Sequence, residues 1–137
     1  MNAIVVGAGN VGRNLAKQLC QEGYGVAVVD RDPAPLSEAE EHLDILTVQG
    51  HGADPRSLDK AGIEGADLLA AVTGQDETNI MACACARAAG VRHKVARISN
   101  DAWLAGRSGL HLSDLGVDFA INPEQECARE IARLLRL

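Results

Sequence analysis

Aromatic side chains are nearly absent from this sequence of 137 residues, which contains one Trp, one Tyr and one Phe. So few rings cannot form the stacking platform on which single-stranded nucleic acids are commonly bound. Basic residues are also in the minority, since 13 Lys and Arg stand against 19 Asp and Glu, for a formal net charge of −6. Because nucleic acid phosphates are bound by basic surfaces, both shortages argue against nucleic acid as a partner.

The sequence also lacks a long hydrophobic run. No apolar stretch approaches the roughly twenty residues that a membrane-spanning helix needs, so we expect no direct membrane insertion. The first seven residues contain neither a basic segment nor a long apolar one, and we expect no secretory signal. The four cysteines, Cys20, Cys83, Cys85 and Cys127, form no Cys-x-x-Cys pair. This pattern predicts reduced thiols in a cytoplasmic protein and no metal site.

Short apolar runs rich in β-branched residues alternate with helical patterns along the chain. Strands are predicted at residues 3–6, 26–29, 45–48, 68–72, 94–98 and 117–121. Helices are predicted at about 11–20, 33–42, 55 onward, 78–89, around 103–104, and 123–137. Strands that are apolar on both faces and separated by helices are typical of a parallel sheet covered on both sides. The sequence therefore predicts one α/β domain over residues 1–137, a Rossmann-like, doubly wound parallel sheet of six strands with helices on both faces.

A glycine-rich turn, Gly7-Ala8-Gly9-Asn10-Val11-Gly12, follows the first predicted strand, and Asp30 ends the second strand. In the G-x-G-x-x-G pattern of dinucleotide-binding sheets, the first glycine allows a tight turn and the second lets the backbone approach a pyrophosphate. The third glycine lets the following helix pack closely on the sheet. The backbone amides at the start of the helix would then hold the phosphates, and Asp30 would accept hydrogen bonds from the ribose.

The acidic residue after the second strand favours NAD(H) over NADP(H), because the carboxylate of Asp30 would repel a 2′-phosphate. Arg31 complicates this assignment, since its guanidinium could reach phosphate oxygens or could simply be solvated. FAD fits less well, because the chain is short and has no second nucleotide motif. The residues around the glycine-rich turn thus predict NAD(H) as the cofactor.

Two further predicted strands bring polar residues to the same edge of the sheet. Thr73 and Gly74 follow the fourth strand, at the carboxyl edge where such folds bind ligands. Arg97 lies near the end of the fifth strand, and a charge within an apolar strand needs a partner. That partner could be a ligand phosphate or the carboxylate of Asp76. His51 follows the third strand and either approaches the ligand or is an ordinary loop histidine.

A recognisable set of catalytic residues is missing. None of the four histidines lies in a catalytic motif, and no Ser-x-x-x-Lys or Tyr-x-x-x-Lys arrangement occurs. We therefore expect a binding function and no enzyme activity. Two alternatives are the cofactor-binding fragment of an NAD-dependent dehydrogenase and an assembly module whose pocket stays empty.

Several motifs together carry a family resemblance. They are the glycine-rich turn, Val29-Asp30, residues 66–73, Asp76-Glu77-Thr78-Asn79, Ala96-Arg97-Ile98, and residues 122–126 and 129–132. On these motifs the chain resembles the N-terminal RCK domain, also called the KTN or TrkA-N domain, nearly from end to end. The Asp-Glu-Thr-Asn run is far more particular to that family than the glycine pattern is.

The resemblance implies a cytoplasmic, nucleotide-binding regulatory domain that controls potassium transport through a membrane transporter subunit of the Trk or Ktr type. It implies NAD⁺ or NADH as the ligand, or ATP or ADP in related subunits. By the same resemblance, residues 7–11 and Asp30 hold the pyrophosphate and ribose, and Thr73, Gly74 and Arg97 complete the pocket. It also implies homodimers that form rings at the inner face of the cell membrane. The last predicted helix, about 123–137, would cross to a partner subunit, although its apolar side could instead cover the domain's own sheet.

Overall fold

The computed structural model describes residues 1–106, 109–121 and 133. Its strands are β1 (Asn2–Val6), β2 (Gly25–Asp30), β3 (Leu46–Gln49), β4 (Leu68–Ala71), β5 (His93–Arg97) and β6 (Phe119–Ile121). Its α-helices are α1 (Asn10–Gln21), α2 (Pro33–His42), α3 (Pro55–Lys60), α4 (Asp76–Ala88) and α5 (Asp101–Leu104). Short 3₁₀ segments at Ile63–Gly65 and Leu112–Leu115 precede β4 and β6.

All six strands run parallel in one sheet, in the order β3-β2-β1-β4-β5-β6. The chain builds outward from β1 to β3 and then returns to place β4 on the other side of β1. Ala3 of β1 accordingly pairs with Val26 of β2 and with Leu68 of β4. In open α/β sheets, ligands bind beyond the carboxyl ends of the strands where the strand order reverses, which is the space between β1 and β4 here. The predicted six-stranded Rossmann-like sheet is confirmed.

Side chains of successive strand residues enter two separate cores. Ile4 and Val6 of β1 pack on the face covered by α3 and α4, whereas Ala3 and Val5 pack on the face covered by α1 and α2. Both faces are buried, so the strands need apolar residues at consecutive positions. This is why their sequences read as continuous apolar runs.

Two element boundaries differ from the prediction by two residues. Strand β6 begins at Phe119, because the amide of Val117 donates to the Leu112 carbonyl and closes the preceding 3₁₀ segment. Helix α4 begins at Asp76, where Gln75 is its extended N-cap residue. The predicted helix at 123–137 lies outside the described residues except for Arg133, which is helical and exposed.

Within the part of the chain that the structure describes, no helix has both the length and the apolar character needed to span a membrane. The same described residues contain no group of three or more His, Cys, Asp or Glu side chains placed to hold a metal ion. Of the four cysteines, Cys83 is fully buried and Cys20 and Cys85 are half-buried, all three as free thiols. Cys127 lies outside the description.

Cys83 of α4 lies in the core against the sheet, where its Sγ contacts the Val95 carbonyl oxygen at 3.6 Å. Burial, reinforced by the negative charge of Asp118, raises the pKa of this thiol to about 12, while Lys94 acts in the opposite direction. The folded state thus favours the neutral thiol. Because its pKa is raised in the folded state, the protonated Cys83 thiol makes its full contribution to folding stability below the ordinary pKa of 9.0. That contribution is lost as the pH rises toward about 12.

We therefore expect alkaline pH to destabilise the unmodified chain more steeply than Cys83→Ala. The difference in slope of unfolding free energy should approach about 1.4 kcal/mol per pH unit between pH 9 and 12, since one proton is involved. Urea unfolding of both proteins at stepped pH measures the two slopes. Parallel slopes would contradict the raised pKa.

Candidate functional site

A cavity of about 540 Å³ opens at the carboxyl edge of the sheet. Residues at or just beyond the ends of five adjacent strands line it, from β3 through β2, β1 and β4 to β5. Five strands span four strand spacings, or about 19 Å. The volume is typical of a small-molecule or cofactor site, and the span suits an elongated ligand.

The three glycines of the glycine-rich turn have different surroundings. Gly7 has φ +110°, in the region that favours glycine. A Cβ on Gly12 would overlap the Gly7 carbonyl oxygen and lie 2.8 Å from its carbon, so α1 can pack this closely only with glycine there. A Cβ on Gly9 would meet nothing within 4 Å, and Gly9 lines the cavity. The turn is therefore tight at Gly7, closely packed at Gly12 and open at Gly9.

Helix α1 presents uncapped backbone amides at this turn. Its N-cap residue is Gly9, which supplies no side-chain hydrogen bond, and the first intrahelical bond runs from the Arg13 amide to the Gly9 carbonyl. First-turn amides have no partner within their own helix and carry partial positive charge. Gly7 and Gly9 of the turn line the cavity, whereas Asn10 and Val11 are not among its lining residues.

Asp30 is the last residue of β2, lies beside the glycine-rich turn and is half-buried. Its Oδ2 accepts from the Ala8 amide at 2.7 Å, and its Oδ1 accepts from the Asp32 amide at 2.8 Å. The Ala8 amide is thus used within the protein, and Ala8 itself is fully buried. A carboxylate has about four acceptor positions, so Asp30 keeps capacity for hydroxyl donors of a ligand. Arg31 is exposed and lines the cavity beside it.

Thr73, Gly74 and Arg97 line the opposite end of the cavity, beyond β4 and β5. Arg97 is half-buried, and its Nε is buried without a hydrogen-bond partner among the described residues. The alternative of an ion pair with Asp76 does not hold: the Asp76 carboxylate instead accepts from the amides of Ser99 and Asn100 at 2.9 and 2.8 Å. No described residue therefore pairs with the Arg97 guanidinium.

Sequence reasoning missed several lining residues, among them Gly52, Gln75 and Thr78. His51 also lines the cavity, and its Nδ1 accepts from the Ala53 amide at 3.1 Å, which leaves Nε2 as the protonated nitrogen of the neutral ring. Gln75 directly precedes the Asp-Glu-Thr-Asn run that already indicated this region, and Thr78 lies within it. Nothing in the local pattern of Gly52 indicated its position.

The cavity is cationic in a protein that is acidic overall. Among the described residues, its lining contains the guanidinium groups of Arg31 and Arg97 and one carboxylate, that of Asp30, so these groups carry a net charge of +1 with His51 neutral. The whole chain carries −6. Together with the uncapped amides of α1, this charge favours an anionic ligand such as a diphosphate.

A family model described as the TrkA-N domain matches residues 3–123. The "Trk system potassium uptake protein TrkA" of Azorhizobium caulinodans is 39% identical over 140 residues, which cover 100% of this chain and 31% of that protein. The protein of the same name from Halomonas elongata is 42% identical over 137 residues, covering 98% of this chain and 30% of that protein. The chain thus spans about a third of the length of these curated relatives.

Solved structures share the fold. The TrkA-N domain of the inner membrane protein ybaL from Escherichia coli gives a TM-score of 0.78 at 24% identity, covering 98% of this chain and 96% of that chain. The GsuK channel bound to NAD gives 0.70 at 18% identity, covering 88% of this chain and 21% of that chain. GsuK bound to ADP also gives 0.70, at 15% identity, covering 98% of this chain and 40% of that chain.

Proposed function

Because this chain belongs to the TrkA-N domain family, we propose that it is a nucleotide-binding regulatory domain of a potassium uptake system, with NAD(H) as its ligand. The single observation that carries the proposal is the cavity at the carboxyl edge of the sheet. Its lining brings together Gly9, which precedes the uncapped first-turn amides of α1, the Asp30 carboxylate at the end of β2, and Arg97 at the end of β5, whose Nε has no partner among the described residues.

These three groups suit the parts of a dinucleotide. The amides at the start of α1 would hold the diphosphate, and Asp30 would accept from the hydroxyls of the adenosine ribose. The second half of the ligand would lie toward Thr73, Gly74 and Arg97. Because the carboxylate of Asp30 repels a 2′-phosphate, it favours NAD(H) over NADP(H).

ADP and ATP are the alternative ligands of the same cavity. They carry the same ribose and diphosphate, and Arg97 would then face a terminal phosphate. The likeness to a channel bound to NAD and to a structure bound to ADP supports both classes of ligand. NAD(H) is preferred here because the cavity extends across five strand ends, farther than a single nucleoside diphosphate requires.

The proposed action is regulation without catalysis. A nucleotide would favour one packing of neighbouring domains, and the assembly would pass this preference to a membrane potassium transporter subunit. Such a ligand shifts an equilibrium only by its difference in affinity between the two states. NAD⁺ and NADH, or ATP and ADP, could therefore act oppositely at one site.

The proposed setting is the cytoplasm, at the inner face of the membrane, with the chain as one domain of a homodimer. The predicted helix at 123–137 would cross to the partner. Its sequence supports this, because a helical wheel places Cys127, Ala128, Ile131, Ala132, Leu134 and Leu135 on one apolar side. Sedimentation equilibrium of the chain, with and without these last residues, tests the dimer.

Isothermal titration of the chain with NADH, NAD⁺, ADP and ATP tests the proposal directly. We expect saturable binding of NADH with a dissociation constant in the micromolar range, about −8 kcal/mol. A heat signal no larger than that of dilution for all four nucleotides at millimolar concentration would contradict it.

Asp30→Ala should weaken NADH binding by about 10- to 100-fold, because hydrogen bonds to a charged group contribute about 1.5–3 kcal/mol. The variant also removes the acceptor of the Ala8 amide, which loosens the turn. The thermal shift that NADH induces in the unmodified chain should shrink accordingly. Asp32→Ala is the matched control, since Asp32 caps α2 outside the cavity lining and its loss should leave binding unchanged. Equal NADH shifts in both variants would argue against a ribose contact at Asp30.

A further inference from the structure

Asn79, in the first turns of α4, is completely buried and uses its whole side-chain amide. Its Oδ1 accepts from the Thr73 amide at 3.0 Å and from the Thr73 hydroxyl at 2.6 Å. Its Nδ2 donates to the carbonyl oxygens of Thr73 at 3.0 Å and of Arg97 at 2.8 Å. Two donors and two accepted bonds fill the capacity of an asparagine amide.

These four bonds join the segments that follow β4 and end β5. Thr73 and Arg97 both line the cavity, whereas Asn79 does not. Asp76, one turn earlier, holds the amides of Ser99 and Asn100 and so fixes the chain immediately after Arg97. Backbone groups on both sides of the cavity's β4–β5 end are therefore held by the start of α4.

No described residue supports the guanidinium of Arg97 in this way, since its buried Nε has no hydrogen-bond partner among them. Its direction depends on the backbone from which it extends. That backbone is bound at the Arg97 carbonyl by Asn79. Loss of this bond would leave the cation free to change direction, at a site where orientation decides contact with a ligand.

We infer that Asn79 is the positioning residue for the half of the cavity that receives the second part of a dinucleotide. The inference rests on the proposed function. In such sheets the adenosine half lies at the glycine-rich turn and at Asp30, on the β1–β2 side, so the other half must lie toward β4 and β5. Asn79 accordingly affects the affinity for a ligand that reaches Thr73 and Arg97. It leaves unchanged the affinity for a ligand that occupies only the adenosine half.

The test compares NADH with AMP, by isothermal titration of the unmodified chain and of Asn79→Asp. The aspartate keeps the shape and the acceptor toward Thr73, but places an oxygen against the carbonyls of Thr73 and Arg97. We expect the dissociation constant of NADH to rise at least tenfold and that of AMP to change less than twofold. Asn14→Asp, the same chemical change at an exposed position of α1, should alter neither.

A double-mutant cycle separates positioning from general loosening of the fold. With Arg97→Met as background, Asn79→Asp should weaken NADH binding much less than it does in the unmodified chain, because the group it positions is gone. Additive losses, or equal losses of NADH and AMP affinity, would overturn the positioning role. If the unmodified chain bound neither nucleotide, the nucleotide-binding proposal itself would fail, and the inference with it.

A measurement on the unmodified chain covers the case in which Asn79→Asp does not fold. The Thr73 amide donates to Asn79 Oδ1, so its hydrogen exchange reports on these bonds. Saturating NADH should slow this exchange at least fivefold, and saturating AMP should leave it unchanged. Equal slowing by the two ligands, or no slowing by NADH, would refute the inference.

Discussion

Gly12→Ala is expected to destabilise the chain by about 3 kcal/mol or more, at the upper end of what overpacking costs. The new Cβ would overlap the Gly7 carbonyl oxygen and lie 2.8 Å from its carbon. Both are backbone atoms, and Gly7 is held in place because its amide donates to the Val29 carbonyl at 2.8 Å. Alanine's helix propensity recovers only about 1 kcal/mol, so the steric cost decides the sign.

Relief of this overlap would require α1 to move away from the sheet. The helix buries Leu15 and Leu19 against that face, so such a movement would open the core on that side. Urea unfolding of the variant measures the loss. Gly65→Ala is the matched control, because a Cβ there meets nothing within 4 Å and Gly65 has ordinary backbone angles. A Gly12→Ala protein within about 1 kcal/mol of the unmodified chain would contradict the close packing of turn and helix.

Gly9→Ala, three residues earlier in the same turn, should change the stability of the chain little but strongly weaken nucleotide binding. Its Cβ would meet no protein atom within 4 Å, and its backbone angles of φ −71° and ψ −169° are open to alanine. That same Cβ would stand in the cavity beside the uncapped amides of α1. A diphosphate approaching those amides would be displaced, and hydrogen bonds contributing about 1.5–3 kcal/mol each would be lost.

For this variant we expect at least a 100-fold loss of NADH affinity, about 2.7 kcal/mol, with the unfolding free energy within about 1 kcal/mol of the unmodified chain. Isothermal titration and urea unfolding on the same preparation give both values, again with Gly65→Ala as the control. NADH affinity within fivefold of the unmodified chain would mean that the ligand does not approach the turn at Gly9. The pair of variants thereby separates the binding role of the turn from its packing role.

The fold could be predicted from local sequence because the burial of each strand is visible in the apolar pattern of that strand's own residues. Ile4 and Val5 are consecutive and both buried, on opposite faces, and only a sheet covered on both sides places them so. The edge strand β3 has a weaker apolar pattern, since its Leu46 is 54% exposed, and its predicted bounds of 45–48 lie one residue before the observed ones. The start of β6 depended on a bond from Val117 to Leu112, which no strand pattern encodes.

The residues of the candidate site that lie close together in the sequence could be predicted. Those whose position depends on contacts with distant parts of the chain could not. The glycine-rich turn and Asp30 have fixed spacing in one βαβ unit, so sequence alone indicated them. Gly52 lies in the cavity wall because it packs on Val6 of β1, a partner far away in the chain. Asp76 was considered as a partner of Arg97 from charge alone, but backbone amides after β5 occupy its carboxylate.

The most direct test of the account is a crystal structure of this chain grown with NADH. The account predicts the diphosphate against the first turn of α1 beside Gly9. It also predicts the adenosine ribose hydroxyls within hydrogen-bonding distance of the Asp30 carboxylate, and the second half of the ligand toward Thr73 and Arg97. Crystals with saturating NADH in which side chains close the cavity, and in which Asp30 binds only the amides of Ala8 and Asp32, would contradict it.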